Sequence, residues 1–397
     1  MPYIRQVDTM KLLPSANESL KVAEFFAGIG LVRAGLEPTG FEVVWANDYE
    51  PAKKQMYEGH FGKSADFALG DVNDVSVDDL PDVDLAWASF PCTDLSLAGS
   101  RKGLAGKQSG TFWKFASLMG ELRTKGRQPR VVALENVNGL ATSHGGDDMA
   151  ALIKELNKLG YSVDVIAMDA RRFVAQSRPR IFIVGALDVP AEQDETINDY
   201  RPEWLQHIYA DKLLRTHRAV LPELPALMTD GLQAYIEQMS AGDERWWDEE
   251  RSGRFLNSLS EIQDERLQEL KKSREVVYRT AYRRTRGGKP TWEIRADGIA
   301  GCLRTPGGGS SKQAVVKVES GKIQVRWMTA KEYANLMGAP NYNLNGLRNN
   351  QILFGFGDAV CVPTIEWLSE HYLKPLVTGT GMMQPFQTQA TLKAIVG

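Results

Sequence analysis

Cys92 sits in the run Ala88-Ser89-Phe90-Pro91-Cys92-Thr93-Asp94-Leu95-Ser96. It follows the apolar segment Leu85-Ala86-Trp87-Ala88, so its thiol falls where a buried strand gives way to a loop. That edge is where open α/β sheets present their chemistry. A thiolate placed there is a nucleophile, although a lone cysteine is more often a small buried hydrophobe. Glu135 ends a second apolar run, Val131 to Leu134, in the triplet Glu135-Asn136-Val137. At the same edge a buried carboxyl has its pKa raised and serves as an acid near neutrality; alone, the same residue reads as a solvated strand end. A third piece is Gln176-Ser177-Arg178-Pro179-Arg180, ahead of Ile181 to Val184. Arginines at i and i+2 of an extended segment share a side and could hold a phosphate, a carbonyl or Glu135 itself, or be an ordinary surface pair.

A ligand site is indicated upstream. Phe25-Phe26-Ala27-Gly28-Ile29-Gly30 follows the first strand-like run and opens a helix, and glycines there let backbone turn tightly and approach a ligand. Asp48 ends the second strand run, where a carboxylate accepts ribose hydroxyls, and Tyr49 could stack on a purine. Gly70-Asp71-Val72 precedes another turn, and Asp71 could accept from an exocyclic amine. No Gly-Lys-Ser/Thr phosphate cradle and no third glycine in dinucleotide spacing occurs, which suits a ribose-and-adenine ligand without pyrophosphate.

The elements that must position these residues alternate. Strand-like runs at Val22 to Phe26, Val43 to Ala46, Leu85 to Ser89, Val131 to Leu134, Tyr161 to Ala167 and Ile181 to Val184 are separated by helical stretches such as Pro51 to Tyr57, Thr111 to Arg123 and Asp147 to Leu159. This predicts a largely parallel, doubly wound sheet. From Asp188 to about Ser311 the chain turns polar and irregular, as a smaller domain or insert would. Order returns after Val315: Thr329 and Glu332 have capping-box spacing for a helix to Met337, a last helix is expected from Val362 to Leu373, and a tail follows Val377. With 43% hydrophobic and 24% charged residues the composition is that of a globular protein. No apolar run approaches the ~20 residues that span a bilayer. Three cysteines (Cys92, Cys302, Cys361) and five scattered histidines give no disulfide framework and no metal spacing, so no metal is expected and a reducing cytoplasm fits.

The order of the motifs resembles that of the DNA (cytosine-5)-methyltransferases. FAGIG, Asn47-Asp48, Gly70-Asp71, Phe-Pro-Cys, Glu-Asn-Val and Gln-x-Arg-x-Arg stand in the family's order. After the insert, Arg326 to Pro340 and Phe356-Gly357-Asp358-Ala359-Val360 look like its ninth and tenth motifs. The resemblance implies a class I S-adenosylmethionine-dependent methyltransferase fold, α/β and Rossmann-like, with a mixed seven-stranded sheet and a smaller target-recognition domain. It places the catalytic domain at 20–187 and 316–377, target recognition at 188–315 and a tail at 378–397, with no further domain expected before Val22.

Carried over residue by residue, it makes Cys92 the nucleophile on C6 of a flipped-out cytosine. Glu135 acts at N3, Arg180 at O2, and Arg178 positions Glu135 and the DNA backbone. Phe26, Ala27, Gly28, Gly30, Asp48, Tyr49, Asp71, Val72, Pro91, Asp358 and Ala359 hold S-adenosylmethionine, released as S-adenosylhomocysteine. The Gly-rich stretch Ser96 to Gly110, with Ser96, Arg101 and Lys102, corresponds to the family's catalytic loop. Three positions depart from the pattern: Leu31 for a second consecutive Gly, Ala175 for a Pro, and Asp358 for an Asn.

Net charge is −3, yet Lys271 to Arg304 holds ten Lys or Arg against three acids. Such a basic surface on an acidic chain marks a polyanion partner. Arg283, Arg284, Arg286, Arg295 and Arg304 are the DNA contacts expected from it, with Lys312 from the stretch Gly298 to Gln313, which could form a loop entering a groove. The expected partner is double-stranded DNA, with no membrane, a monomeric enzyme, and a restriction or defence system as context. A tRNA methyltransferase and a non-catalytic DNA-binding relative are the alternatives. The size of the basic insert opposes the first, and retention of Cys92 and Glu135 opposes the second.

Overall fold

The computed structural model describes residues 19–63, 66–91, 111–306 and 311–380, and the backbone of 383–385. Seven strands form the main sheet: β1 (Leu20–Phe25), β2 (Phe41–Asp48), β3 (Phe67–Leu69), β4 (Leu85–Ala88), β5 (Val131–Asn136), β6 (Ser162–Asp169) and β7 (Pro179–Ala186). Their order is β3-β2-β1-β4-β5-β7-β6. β1 to β5 pair in parallel, and β7 runs antiparallel to both β5 and β6. The reversal follows from chain length: the short link from Asp169 to Pro179 cannot make the crossover of a dozen or more residues that a parallel return needs. β3 is three residues long and only Phe67 in it is buried, too brief for an apolar run to announce it.

Alternating side chains supply two apolar layers. Leu85, Trp87, Val131 and Ala133 face one side with helices 31–36, 51–61 and 362–368. Ala86, Ala88, Val132 and Leu134 face the other with helices Thr111–Thr124 and Asp147–Lys158. The helix Ala330–Leu336 begins at Thr329 with both halves of the capping box formed. The C-terminal run Asn349–Thr378 contains an 18-residue window apolar enough to span a bilayer, which corrects the sequence reading; 67% of that window is buried within the protein, where it completes the first layer.

The polar region beyond Asp188 divides. Its first part, including β8 (Asp188–Pro190), packs on the main sheet through a buried network. Arg201 donates to Asp164 Oδ1 at 2.9 Å, Tyr209 Oη to Asp164 Oδ1 at 2.7 Å, and Tyr372 Oη to Asp164 Oδ2 at 2.7 Å. The later part builds a four-stranded antiparallel sheet, β10-β9-β11-β12, from β9 (Val277–Arg286), β10 (Lys289–Ile294), β11 (Ala314–Glu319) and β12 (Lys322–Trp327). The second sheet thus continues to Trp327, past the expected boundary at 315. Its core is Phe255, Leu267, Trp292, Ile294, Val316 and Val325, contributed by strands and by helices Glu249–Asn257 and Glu261–Lys271.

Candidate active site

The carboxyl ends of β1, β2, β4 and β5 meet at one edge, on either side of the point where strand order reverses. At β1 the backbone leaves the strand through left-handed conformations at Phe26 (φ 58°), Gly28 (φ 57°) and Gly30 (φ 81°). Asp48, at the end of β2, ties this turn down. Its carboxylate accepts from the Gly28 N–H at 3.0 Å and from the Glu50 N–H at 3.0 Å. Asn47 donates to the carbonyls of Ala68 (2.9 Å) and Gly70 (3.0 Å), fixing the approach to Asp71.

The two glycines have different reasons to be glycine. A Cβ on Gly28 would meet nothing within 4 Å, so open space faces that turn. A Cβ on Gly30 would fall 2.4 Å from Phe61 Cε2 and 2.8 Å from the Tyr57 ring, so Gly30 serves helix packing. Around the open space Tyr49 exposes 63% of its surface, Asp71 is exposed and holds Asn73 at 2.9 Å, and Val72 is buried. Asp358 ends the helix Asn349–Asp358 and pairs with Lys53 at 3.2 Å. That cation offsets the extra charge gained where the family carries Asn.

The two halves of the Gln-x-Arg-x-Arg motif divide their work. Arg180 Nε lies 2.8 Å from Glu135 Oε1, with both side chains largely shielded at the end of β5. Asn136 beside it donates to the Phe90 carbonyl at 3.2 Å, binding the end of β5 to the segment that leads into Pro91. Arg178 does not join them, contrary to the expectation that it positions Glu135 and DNA. It is buried and donates to the carbonyls of Leu303 at 2.7 Å, Gly357 at 3.2 Å and Ala359. Burial, then the charge of Arg180, lowers its pKa from the usual guanidinium value. Gln176 makes a parallel clamp, donating to the Leu336 carbonyl at 2.8 Å and accepting from the Leu303 N–H at 3.1 Å. Gln176 and Arg178 therefore bolt three distant segments together, leaving Arg180 to face the site.

Gly357 is where these segments come closest. A Cβ there would lie 2.4 Å from Thr305 N and 2.5 Å from the Arg304 carbonyl carbon, backbone that has no room to yield. Gly357→Ala should therefore destabilise the fold by about 1–3 kcal/mol, measured by denaturant unfolding; a wild-type midpoint would refute the close approach.

Several expected DNA-contacting side chains already have partners. Arg284 and Arg286 both reach Glu293, at 3.2 Å and 2.6 Å. Arg295 pairs with Asp297 through two bonds of 2.7 Å and 2.6 Å. Arg283 lies over the Trp292 ring at 5.9 Å and Lys312 over the Trp327 ring at 5.1 Å. Arg304 is exposed. Cys92, Ser96, Arg101 and Lys102 lie outside the described residues. The structure adds Cys302, 3.5 Å from Arg178 Nη1, whose pKa is lowered: burial raises it, but the charges of Arg178, Arg180 and Arg304 prevail. Nothing in its local sequence signals that proximity.

The profile of the C-5 cytosine-specific DNA methylase family matches residues 20–374, from β1 to the last core helix. The chain belongs to this family. The methylase is similar along 90% of its length to the Type II methyltransferase M.Bsp6I of Bacillus sp. (strain RFL6), with 27% identity over the whole of that relative. It is 36% identical to M.HaeII of Haemophilus aegyptius over 169 residues, 42% of this chain and about half (51%) of that relative. Among solved structures, the Dnmt2 methyltransferase of S. pombe superposes with a TM-score of 0.57 at 16% identity, covering 90% of this chain and 99% of that one. The methylase is a methyltransferase acting at C5 of cytosine in DNA.

Proposed function

We propose that this methylase modifies cytosine within a short fixed sequence of double-stranded DNA, taking the methyl group from S-adenosylmethionine. The observation that carries the reading is the shielded Arg180–Glu135 pair at the end of β5, beside the strand that leads to Cys92. The open space at Gly28, the exposed Tyr49 ring and the Asp48-braced turn fit a ribose-and-adenine cofactor. Phe26, Ala27, Gly28, Asp48, Tyr49, Asp71, Val72, Pro91 and Ala359 would hold it, Asp48 through lone pairs left beside its two backbone bonds. Gly30 contributes by keeping helix Pro51–Phe61 close. S-Adenosylmethionine, when bound, supplies a sulfonium methyl group and departs as S-adenosylhomocysteine.

Cytosine C5 is a poor nucleophile, and its C6 is inaccessible in stacked DNA, so the base must be extruded. The Cys92 thiolate adds to C6, and the displaced electron pair makes C5 nucleophilic. Glu135 donates a proton or strong hydrogen bond to N3 of the base as negative charge develops there, and Arg180 orients Glu135 and contacts O2. Once C5 carries the methyl group, loss of the C5 proton and β-elimination of the thiolate restore the ring and Cys92. Target recognition falls to the second sheet with its helices and to residues 298–313. The Type II relatives favour a restriction–modification setting, and the cysteine usage favours a cytoplasmic enzyme; we take it to act as a monomer on one face of the duplex.

Bisulfite sequencing of plasmid DNA from cells expressing the protein or Cys92→Ala tests this. Methylcytosine at one short motif, absent in the variant, is expected. Folded wild-type protein that leaves plasmid unmodified would sink the DNA reading and turn attention to tRNA.

A further inference from the structure

Four aromatic rings close one end of the second sheet. Trp247 meets Trp327 edge-on with centroids 5.2 Å apart, and both lie 5.6 Å from Trp292; Phe255 packs 5.3 Å from Trp292. On this cluster rest two cations from distant parts of the chain. The Arg251 guanidinium carbon is 4.3 Å from the Trp247 centroid and 5.3 Å from that of Trp327. Lys312 Nζ is 5.1 Å from the same Trp327 ring. Among the described residues neither side chain forms an ion pair. Of the acids that precede Arg251, Glu250 pairs with Arg254, and Asp248 attracts the guanidinium from a distance while it caps the helix, accepting from the Arg251 backbone N–H at 2.7 Å.

The placement is unfavourable for cations left to themselves. Arg251 lies in the first turn of helix Glu249–Asn257, where the helix dipole disfavours positive charge. Lys312 adds a like charge across the ring. Burial, and then Arg251, lowers the Lys312 pKa from its ordinary value; burial chiefly does the same for Arg251. Nearby arginines differ: Arg284 and Arg286 on the hairpin share Glu293, and Arg254, in the same helix as Arg251, pairs with Glu250. Cation–π contacts hold the two groups in place where neither forms an ion pair among the described residues.

The position is also tied to the reaction site. Gln313, next to Lys312, brackets Gly301, accepting from its N–H at 3.0 Å and donating to its carbonyl at 2.9 Å. Two residues on, Leu303 is gripped by Gln176 and Arg178. Hydrogen bonds thus connect Gln313, the neighbour of Lys312, through residues 301–303 to the motif that bears Arg180.

We propose that Arg251 and Lys312, seated on the Trp247–Trp327 pair, form a binding site for the phosphodiester backbone of the substrate duplex. The site rests on the reading of the protein as a double-stranded DNA methylase, and it assigns backbone positioning to a helix outside the basic run. It holds a phosphate in fixed relation to the Glu135–Arg180 pair, while the hairpin arginines stay with Glu293.

Affinity for a short duplex, titrated against salt, tests the site in the full chain. Arg251→Gln and Lys312→Gln should each weaken binding about 5–10-fold near 100 mM salt, and each should reduce the slope of log K against log salt by about 0.9. Arg251→Lys and Lys312→Arg should restore most of the slope, and Arg254→Gln should stay within twofold of wild type. Near-UV circular dichroism of the tryptophans shows whether each variant keeps the cluster. Wild-type affinity and slope in the double Gln variant would overturn the site alone. Absence of duplex binding by the wild-type protein, or tighter binding of a structured RNA of equal length, would overturn the site together with the reading beneath it.

Discussion

Glu135→Gln and Arg180→Ala are each expected to lower single-turnover methyl transfer by two to four orders of magnitude while leaving the protein folded. The size is that of a positioned acid–base or charge-stabilising group. The geometry explains why neither residue can cover for the other. Arg180 Nε is 2.8 Å from Glu135 Oε1, and a second arginine nitrogen donates to the Pro179 carbonyl at 2.8 Å, so the guanidinium is fixed by its own strand and fixes the carboxylate in turn. Glutamine keeps the size of Glu135 but removes the charge that Arg180 faces. Arg180→Lys should lose most of the rate as well, because an ammonium cannot reproduce the directed fork of a guanidinium. The control is Arg284→Ala on the hairpin, where Arg286 still holds Glu293 and activity should fall less than tenfold. A Glu135→Gln protein transferring methyl groups within threefold of wild type would remove this pair from the reaction.

That pair illustrates what could be read from the chain. Glu135 and Arg180 lie at the ends of apolar runs, and strand alternation with parallel crossovers forces such ends to one edge; the residues' types then suffice to suggest chemistry. The main sheet was legible for the same reason, except β3, whose three residues carry almost no periodic signal. Arg178 was misread because its role depends on carbonyls more than a hundred residues away, at Leu303, Gly357 and Ala359. Local spacing places a side chain on a face of a strand but does not say what the rest of the chain brings to that face. The second sheet was hidden differently. β9 presents Tyr278, Thr280 and Ala281 to the interior among arginines and tyrosines only half covered, so its composition reads as a charged loop. Counting charges also overstated the hairpin: Arg284 and Arg286 converge on Glu293 only once β9 and β10 pair, while Arg251, outside the basic run, rests on aromatic rings with no ion pair among the described residues.

Arg201→Ala should destabilise the protein by about 3–5 kcal/mol at neutral pH, as expected when one member of a buried ion pair is removed. Arg201 and Asp164 are both inaccessible to solvent. Asp164 also accepts from Tyr209, Tyr372 and the Ala219 N–H, so truncation leaves a fully hydrogen-bonded carboxylate without its cation. Burial alone pushes the Asp164 pKa upward, but the charge and hydrogen bonds of Arg201 outweigh it and hold the carboxyl below its ordinary value. Its contribution is therefore present above about pH 4 and is lost only as pH falls below that. His217 supplies an earlier acid response from the same network. It is buried, bonded to Tyr372 Oη at 3.0 Å and to Ser162 Oγ at 3.2 Å. Burial pushes its pKa down to about 4, against an opposing pull from Asp164. The unfolded chain then binds a proton that the folded one refuses throughout the interval from about pH 6.5 to 4. Stability is full above that interval and falls as pH drops through it, by about 2 kcal/mol between pH 7 and pH 5. Guanidinium unfolding of wild type, Arg201→Ala and His217→Gln at both pH values separates the two effects. Arg201→Ala should be weak already at pH 7, and His217→Gln should lose the extra sensitivity between pH 7 and 5. A His217→Gln protein with the wild-type pH dependence would show that acid attacks the fold elsewhere, and an Arg201→Ala protein as stable as wild type would show that the 188–235 segment is not anchored through Asp164.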